Sequence, residues 1–162
     1  MGLGFEVRLA TYDDIEAIAK ITSEAFVKYA QLIGMPTTAA LNETAEDIKK
    51  DIDENMVFVA FVDGVPVGSV RVKVNMEEKS AYLYRFGVRL NVQNNGIGKS
   101  LMNLVDIKMK DLGIKTISLH TGAKVSSLVR FYYGRGFYID STTKDRGYVR
   151  AYLVKEYDNE LN

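Results

Sequence analysis

Apolar residues recur at two spacings along the chain, and these spacings predict its secondary structure. Spacings of three and four residues form one apolar stripe from Ile15 to about Tyr29 and another from Leu101 to Leu112, which is typical of amphipathic helices. Two β-branched runs flank Asp63-Gly64, a pair typical of a tight hairpin. The predicted order is β-α-α-β-β-β-α-β-α-β-β. Strands are expected over residues 5–9, 56–62, 65–74, 80–88, 116–120, 137–141 and 148–155, and two shorter helices over residues 45–54 and 125–133.

The connections between these elements predict the fold class. The Asp63-Gly64 hairpin makes its strands antiparallel, whereas the helices after Gly98 and Val125 require crossovers, which allow parallel pairing. We therefore expect an α/β (α+β) fold with a single mixed, mostly antiparallel twisted sheet of about seven strands flanked by four helices. No repeat or linker-like composition interrupts the chain, so residues 1–162 are expected to form one domain. Strict alternation over residues 80–88 would put Tyr82, Tyr84 and Phe86 on one face of a strand, opposite Leu83 and Arg85.

Composition and charge exclude several classes of function. Lysine and arginine total 21 against 21 aspartate and glutamate, a balance that argues against a nucleic-acid-binding surface. The chain has no cysteine and one histidine, so neither a thiolate nucleophile nor a Cys or His metal centre is expected. The longest apolar run, residues 56–62, is far shorter than the roughly 20 residues of a membrane span. Without a membrane span or a secretory leader pattern, a cytoplasmic location is expected.

A glycine-containing loop joins a predicted strand to a predicted helix. Gly96 and Gly98 at this junction would let backbone amides and the helix N-terminus face a phosphate, and Lys99 adds a positive charge. A nucleotide-binding P-loop would end in Gly98, Lys99 and Ser100. The position of the first glycine in the P-loop motif is, however, occupied by Gln93. The all-parallel strands that surround a P-loop are also missing, which disfavours this alternative. The pattern Q/R-x-x-G-x-G/A is satisfied from Gln93 to Gly98.

With that loop, the chain resembles the GCN5-related N-acetyltransferases (GNAT), which transfer an acyl group from acyl coenzyme A. Val88 ends its strand eight residues before Gly96, as in the family, and the sequence FYYGRGF over residues 131–137 matches the family pattern F-Y-x-x-x-G-F. The order of elements agrees as well. The resemblance implies that backbone amides near Val88 and Leu90 hold the acetyl carbonyl and pantetheine, while the loop holds the pyrophosphate. Its acetyl coenzyme A residues would be Val88, Leu90, Gln93, Asn94, Asn95, Gly96, Ile97, Gly98, Lys99 and Ser100.

The resemblance also implies one catalytic residue, Tyr132, aligned with the family tyrosine that protonates the departing thiolate. A phenol with a pKa near 10 is protonated at neutral pH and suits that role. The alternative is that Tyr132 is a packed core aromatic. No carboxylate identifies itself as the base: Glu24 or a water chain is a candidate, but a solvated role fits Glu24 better. His120 is expected near the cleft, where a structural role is favoured over contact with substrate or coenzyme.

These inferences predict an N-acetyltransferase that moves acetyl from acetyl coenzyme A directly to a primary amine in a ternary complex. The acceptor would be a small molecule or a protein amine, framed by residues 29–38 and 142–148, and a homodimer is possible. Val125 and Leu128 depart from the family pattern of Asn and Ala near these positions. That departure, with the absence of an evident base, keeps a catalytically weak acyl coenzyme A sensor as an alternative.

Overall fold

Seven strands form a single sheet in the computed structural model, which describes residues 4–92 and 96–157. The sheet is flanked by four α-helices within the described residues. Short 3₁₀ turns precede the first helix and follow the fourth strand. In chain order the elements are β1 (Phe5–Leu9), α1 (Ile15–Ile33), α2 (Ala45–Glu54), β2 (Met56–Val62), β3 (Val65–Asn75), β4 (Ser80–Val88), α3 (Ile97–Asp111), β5 (Thr116–Gly122), α4 (Ser126–Gly134), β6 (Tyr138–Thr143) and β7 (Arg150–Glu156).

The strand order confirms the predicted fold class. The strands lie side by side as β1-β2-β3-β4-β5-β7-β6. Every neighbouring pair is antiparallel except β4 and β5, which are parallel. The chain crosses from β4 to β5 through α3, as the crossover argument required. The extent of the domain over all of residues 1–162 stays a prediction.

Helices cover both faces of the sheet, which explains why β2 is apolar at every position. Val57, Val59 and Phe61 face α1 and α2 and pack with Ile18 and Ile48. The alternate residues Phe58 and Ala60 join a larger cluster on the opposite face, built around α3. The sequence of a strand that is buried on both faces is typically a continuous run of hydrophobic residues.

The predicted hairpin turn is confirmed, whereas the helix boundaries differ from the predicted ones. Asp63 and Gly64 both have positive φ angles, 51° and 80°, as the tight hairpin requires. The first helix runs to Ile33, beyond the predicted end near Tyr29. The third helix starts at Ile97 rather than at Leu101. The fourth helix, Ser126–Gly134, begins and ends one residue later than the predicted range of 125–133.

A β-bulge in β4 makes the predicted alternation wrong. Pairing with β3 shifts between Ser69 and Arg71, and Arg85 has a φ of 53°. One extra residue reverses the side of the residues that follow it. Phe86 therefore stacks on Phe131 on the α3 face, whereas Tyr84 and Arg85 both point towards α2, where they contact Asn55 and Glu43.

Candidate active site

The parallel strands β4 and β5 separate soon after they pair, which opens a cleft in the sheet. Their register covers only three pairs, from Ser80 with Thr116 to Tyr82 with Ser118. Beyond that point β4 stays with β3 up to Val88, while β5 stays with β7 up to Gly122. Backbone groups that face a widening gap cannot pair with the neighbouring strand. The wedge can therefore receive an extended ligand between the two strands.

The N-terminus of α3 lies at the end of the polypeptide segment that follows β4. Gly96 caps the helix with φ 77° and ψ 8°, and an added Cβ would meet no atom within 4 Å. Ser100 N donates to Gly96 O at 3.0 Å, so the preceding amides of Ile97, Gly98 and Lys99 lie in the first turn, where helices leave N–H groups unpaired. These amides can bind an anion. Gln93, Asn94 and Asn95 lie outside the described residues.

Gly98 has a second role in packing. A Cβ at this position would lie 2.9 Å from Phe86 Cζ and 3.2 Å from Phe131 Cζ. The two rings stack with centroids 5.3 Å apart. Gly98 therefore lets the first turn of α3 approach the aromatic residues of β4 and α4.

Tyr132 belongs to the same aromatic cluster. Its ring packs edge-to-face against Phe86 and Phe137, and the residue is 5% exposed. Burial raises the pKa of its phenol far above its ordinary value, and the neighbouring phenols of Tyr29 and Tyr82 raise it further. Tyr132 is consequently a protonated group at neutral pH. Tyr132 is therefore both a packed core aromatic and a neighbour of two other phenols.

In the turn after β4, Glu24 binds the backbone amide of Leu90, which the sequence analysis did not predict. Leu90 N donates to Glu24 Oε2 at 2.6 Å, and Arg89 Nη2 lies 3.4 Å from Glu24 Oε1. The Leu90 amide is therefore occupied by a side chain of α1, contrary to the prediction that it is free for pantetheine. Glu24 is likewise neither a simple solvated residue nor an unengaged base. Its carboxylate fixes the turn because it accepts from both neighbours.

The two segments predicted to frame the acceptor meet at the end of β5. Tyr29 Oη accepts a hydrogen bond from Gly122 N at 2.8 Å and lies 3.5 Å from Tyr148 Oη. An added Cβ at Gly147 would lie 3.5 Å from Met35 Cε. The loop after α1 and the loop before β7 thus enclose the same end of the cleft.

A buried ionic network beside α2 was missed by the sequence analysis. Arg71 has no exposed side-chain surface, and its guanidinium contacts both Glu43 oxygens at 2.5 and 2.7 Å and Asp51 at 3.0 Å. Arg85 joins through Glu43 at 3.2 Å. A cavity of about 550 Å³ adjoins the network, with Glu43, Asp51 and Tyr84 in its wall. The signal in the sequence is an arginine set between two valines, Val70 and Val72, in a predicted strand.

The phenol of Tyr82 lies at the point where β4 and β5 part. Its Oη is 2.7 Å from His120 Nδ1. The His120 ring also packs on Tyr152 with centroids 4.9 Å apart. Both residues lie on the face of the sheet that carries α1 and α2. A cavity of about 630 Å³ adjoins Tyr82 at the paired ends of β4 and β5, and Ser118 and Tyr152 also line it.

A known protein family matches the part of the chain that contains this cleft. The acetyltransferase (GNAT) family model matches residues 16–137. The chain belongs to this family. The match includes the wedge, the α3 N-terminus and Tyr132, so the GNAT resemblance predicted from residues 93–98 and 131–137 is confirmed.

Curated GNAT relatives are similar over part of their length. The chain is 27% identical to mycothiol acetyltransferase from Propionibacterium freudenreichii subsp. shermanii over 91% of this chain and 46% of the relative. It is 29% identical to mycothiol acetyltransferase from Cellulomonas flavigena over 76% of this chain and 37% of the relative. The chain therefore spans less than half the length of these two curated relatives.

Solved structures show the same GNAT fold. PaiA N-acetyltransferase from Thermoplasma acidophilum, in complex with coenzyme A, superposes with a TM-score of 0.83 at 21% identity and covers 96% of this chain and 100% of that one. The structure of yncA from Salmonella typhimurium with its cofactor acetyl coenzyme A has a TM-score of 0.75 at 16% identity, and the match covers 99% of this chain and 98% of that one. At sequence identities this low, the structural similarity establishes the fold alone.

Two further properties concern the described residues only. None of their helices is long and apolar enough to cross a membrane. Within residues 4–92 and 96–157, no three His, Cys, Asp or Glu side chains are grouped so that they could hold a metal ion.

Proposed function

We propose that this chain transfers an acetyl group from acetyl coenzyme A directly to a primary amine, through a ternary complex. The observation that carries the proposal is the convergence of three features at one cleft: the parting of β4 and β5, the anion-binding α3 N-terminus and the buried phenol of Tyr132. Membership of the GNAT family supports the same chemistry.

The predicted coenzyme residues fit the elongated shape of this ligand. The first-turn amides of Ile97, Gly98 and Lys99 would hold the pyrophosphate, with the exposed Lys99 ammonium and the Ser100 hydroxyl beside it. Gly96 keeps the approach free of a side chain. Gln93, Asn94 and Asn95 would complete the loop.

At the inner end of the coenzyme, the backbone around Val88 would hold pantetheine and the acetyl carbonyl. The Leu90 amide already binds Glu24, so Leu90 would contribute contact surface rather than a free donor. Amides at the carbonyl would stabilise the negative charge that develops as its carbon becomes tetrahedral.

The chemistry assigned to Tyr132 is proton donation. As the amine nitrogen bonds to the carbonyl carbon, the carbon–sulfur bond breaks and the sulfur leaves with its electron pair. Tyr132 Oη then gives its proton to that thiolate. Burial keeps this phenol protonated and therefore available as a donor, and its phenolate then takes up the second proton that the new amide nitrogen loses.

The acceptor is a small-molecule or protein amine, and the fold alone does not determine which one. The curated relatives are named for mycothiol acetylation, but the chain covers less than half of their length. One structural neighbour is the ribosomal-protein-S18-alanine N-acetyltransferase from Escherichia coli, at 15% identity. Cytoplasmic location and a homodimer stay predictions.

Calorimetric titration of the purified protein with acetyl coenzyme A, beside ATP with Mg²⁺, tests the donor. Saturable binding of acetyl coenzyme A alone is expected, because the mixed, mostly antiparallel sheet lacks the parallel surroundings of a P-loop. Binding of ATP alone would overturn the proposal.

A panel of primary amines, with free coenzyme A thiol measured over time, then separates the enzyme from the sensor. Thiol release with acetylated product is expected for an enzyme. Tight acetyl coenzyme A binding with no product from any amine would favour the sensor.

A further inference from the structure

We propose that Tyr82 and His120 form the proton-accepting pair that deprotonates the acceptor ammonium. This inference rests on the proposed function. Tyr82 would contact the amine, and His120 would act through Tyr82. The two residues come from different strands, and they meet where β4 and β5 part. No carboxylate is required at this position.

The hydrogen bond itself is the first support. Tyr82 Oη lies 2.7 Å from His120 Nδ1, within the range of a good O–H···N contact. The rings are tilted with centroids 5.7 Å apart, and Tyr152 packs on the far side of the imidazole at 4.9 Å. This packing restrains the imidazole so that Nδ1 faces the phenol.

Access is the second support. Tyr82 and Tyr152 line the cavity of about 630 Å³ on the α1 and α2 face of the sheet. Both Tyr82 and His120 are intermediate in exposure rather than fully buried. On the other side, the Tyr82 phenol is close enough to Tyr132 to affect its pKa. Tyr82 thus contacts a cavity at the paired ends of β4 and β5, and its phenol also lies near the proposed acid.

The surrounding charges favour a neutral imidazole. Burial lowers the pKa of His120 below its ordinary value near 6.5, and Arg150 and Arg146 lower it further while Asp145 opposes them. The imidazole is therefore neutral and able to accept a proton at pH 7. The same arginines disfavour a bound ammonium and so ease the loss of its proton.

The phenol stays protonated between transfers. Burial raises the pKa of Tyr82, and the phenol of Tyr152 adds to this, whereas Arg150, Arg146 and the backbone amide of His120 act in the opposite direction. Tyr82 can consequently pass a proton on without remaining a phenolate.

Each proton that leaves the ammonium has a defined acceptor. One N–H bond of the ammonium breaks, and its electron pair stays on nitrogen as the attacking lone pair. The proton goes to Tyr82 Oη while the phenolic proton moves to His120 Nδ1, which becomes imidazolium. After acetyl transfer, the new amide nitrogen loses its second proton, which returns the Tyr132 phenolate to the phenol through solvent. The His120 imidazolium releases its proton to bulk water, so the reaction releases one proton overall.

The kinetic test compares an alkyl amine, charged at pH 7, with an aromatic amine, neutral at pH 7. Both would be acceptors taken from the active panel. Tyr82→Phe and His120→Gln should each lower kcat/KM for the alkyl amine by about 100-fold and leave the aromatic amine within about twofold. The double variant should lose no more than either single variant, because the two residues act in one relay. Tyr133→Phe, which removes an exposed phenol away from the pair, serves as the control.

The pH profile adds a readout that a structural role would not move. For the wild type, kcat/KM with the alkyl amine should fall as pH falls through the pKa of His120, below about 6.5. In His120→Gln, it should instead keep rising towards the pKa of the amine, since only free amine reacts. Equal losses for both amines, or a variant profile parallel to that of the wild type, would overturn the pair.

Nitrogen NMR of the imidazole needs no acceptor, and its assignment is simple because the chain has one histidine. At pH 7 we expect a neutral ring with the proton on Nε2 and with Nδ1 accepting from Tyr82. Tyr82→Phe should move the Nδ1 signal, and Tyr84→Phe should not. A charged ring at pH 7, or a proton on Nδ1, would refute the pair. If wild-type protein binds no acetyl coenzyme A, the proposed function fails, whereas the NMR result still reports on the pair.

Discussion

At the scale of single residues, Tyr132 combines a packing role with a proposed chemical one. Its ring fills the space between Phe86 and Phe137, so the two roles can be separated only by a change that keeps the ring. The hydroxyl group is the part that the proposed chemistry needs. Substitution by phenylalanine removes that group alone.

Tyr132→Phe should lower kcat by about 100-fold while leaving the acetyl coenzyme A Kd nearly unchanged, because only the proton donor is lost. Turnover and calorimetric binding measure the two effects. Tyr133→Phe is the matched control, since the neighbouring Tyr133 is 75% exposed. Full turnover in Tyr132→Phe would reject its role as the acid.

Arg71 is a fully buried cation at the centre of the ionic network beside α2. Its guanidinium is completely buried between Glu43 and Asp51. Removal of one partner from a buried ion pair leaves an uncompensated charge, which costs more than the pair itself contributes.

Arg71→Met should therefore lower the free energy of unfolding by about 3–5 kcal/mol, measured by urea denaturation. Lys73→Met, two residues along the same strand and exposed, should change it by about 0.5 kcal/mol or less. Adding Glu43→Gln and Asp51→Asn to Arg71→Met should recover part of the loss. A cost for Arg71→Met no larger than that for Lys73→Met would show that the network does not stabilise the fold.

At the scale of elements, the two ends of α3 offer a controlled comparison. Gly96 precedes its first turn and Gly113 follows its last, with φ angles of 77° and 75°. An added Cβ meets no atom within 4 Å at either site. Substitution should thus impose similar backbone strain at both ends, of about 1–2 kcal/mol.

Gly96→Asp should weaken acetyl coenzyme A binding by about tenfold or more, equivalent to about 1.4 kcal/mol, because its carboxylate would face the pyrophosphate. Gly113→Asp should leave the Kd unchanged although it also strains the backbone. Calorimetry on the two variants measures the difference. Equal affinity in the two variants would put the ligand away from the α3 N-terminus.

The elements also separate what the sequence can predict from what it cannot. Periodicity and caps predict strands and helices because each signal is local, as in the Asp63-Gly64 turn. The bulge at Arg85 follows from pairing with β3, so alternation along β4 placed Phe86 on the wrong face. The bond from Leu90 to Glu24 joins residues 66 positions apart. A contact at that separation has no local signal.

At the scale of the molecule, the sheet consists of two parts joined by few hydrogen-bonded residues. One part ends in β4 and the other begins with β5, and within the described residues the ladder between them has three residue pairs, next to a bond from Lys115 N to Lys79 O. Acetyl coenzyme A in the wedge would contact both parts. Side-chain contacts such as that of Tyr29 with Gly122 already link the parts outside the sheet.

Acetyl coenzyme A at 100 times its Kd should accordingly stabilise the protein by about 2.7 kcal/mol and raise Tm by about 5–11 °C. Hydrogen exchange should then slow in residues 83–88 of β4 and 119–122 of β5 together, because the ligand fills the gap between them. Adenosine 3′,5′-bisphosphate, which lacks the pantetheine arm, should protect only the first turn of α3. Protection confined to that turn with the complete coenzyme would mean that its arm lies outside the wedge, and the acetyl group would then be out of reach of Tyr132.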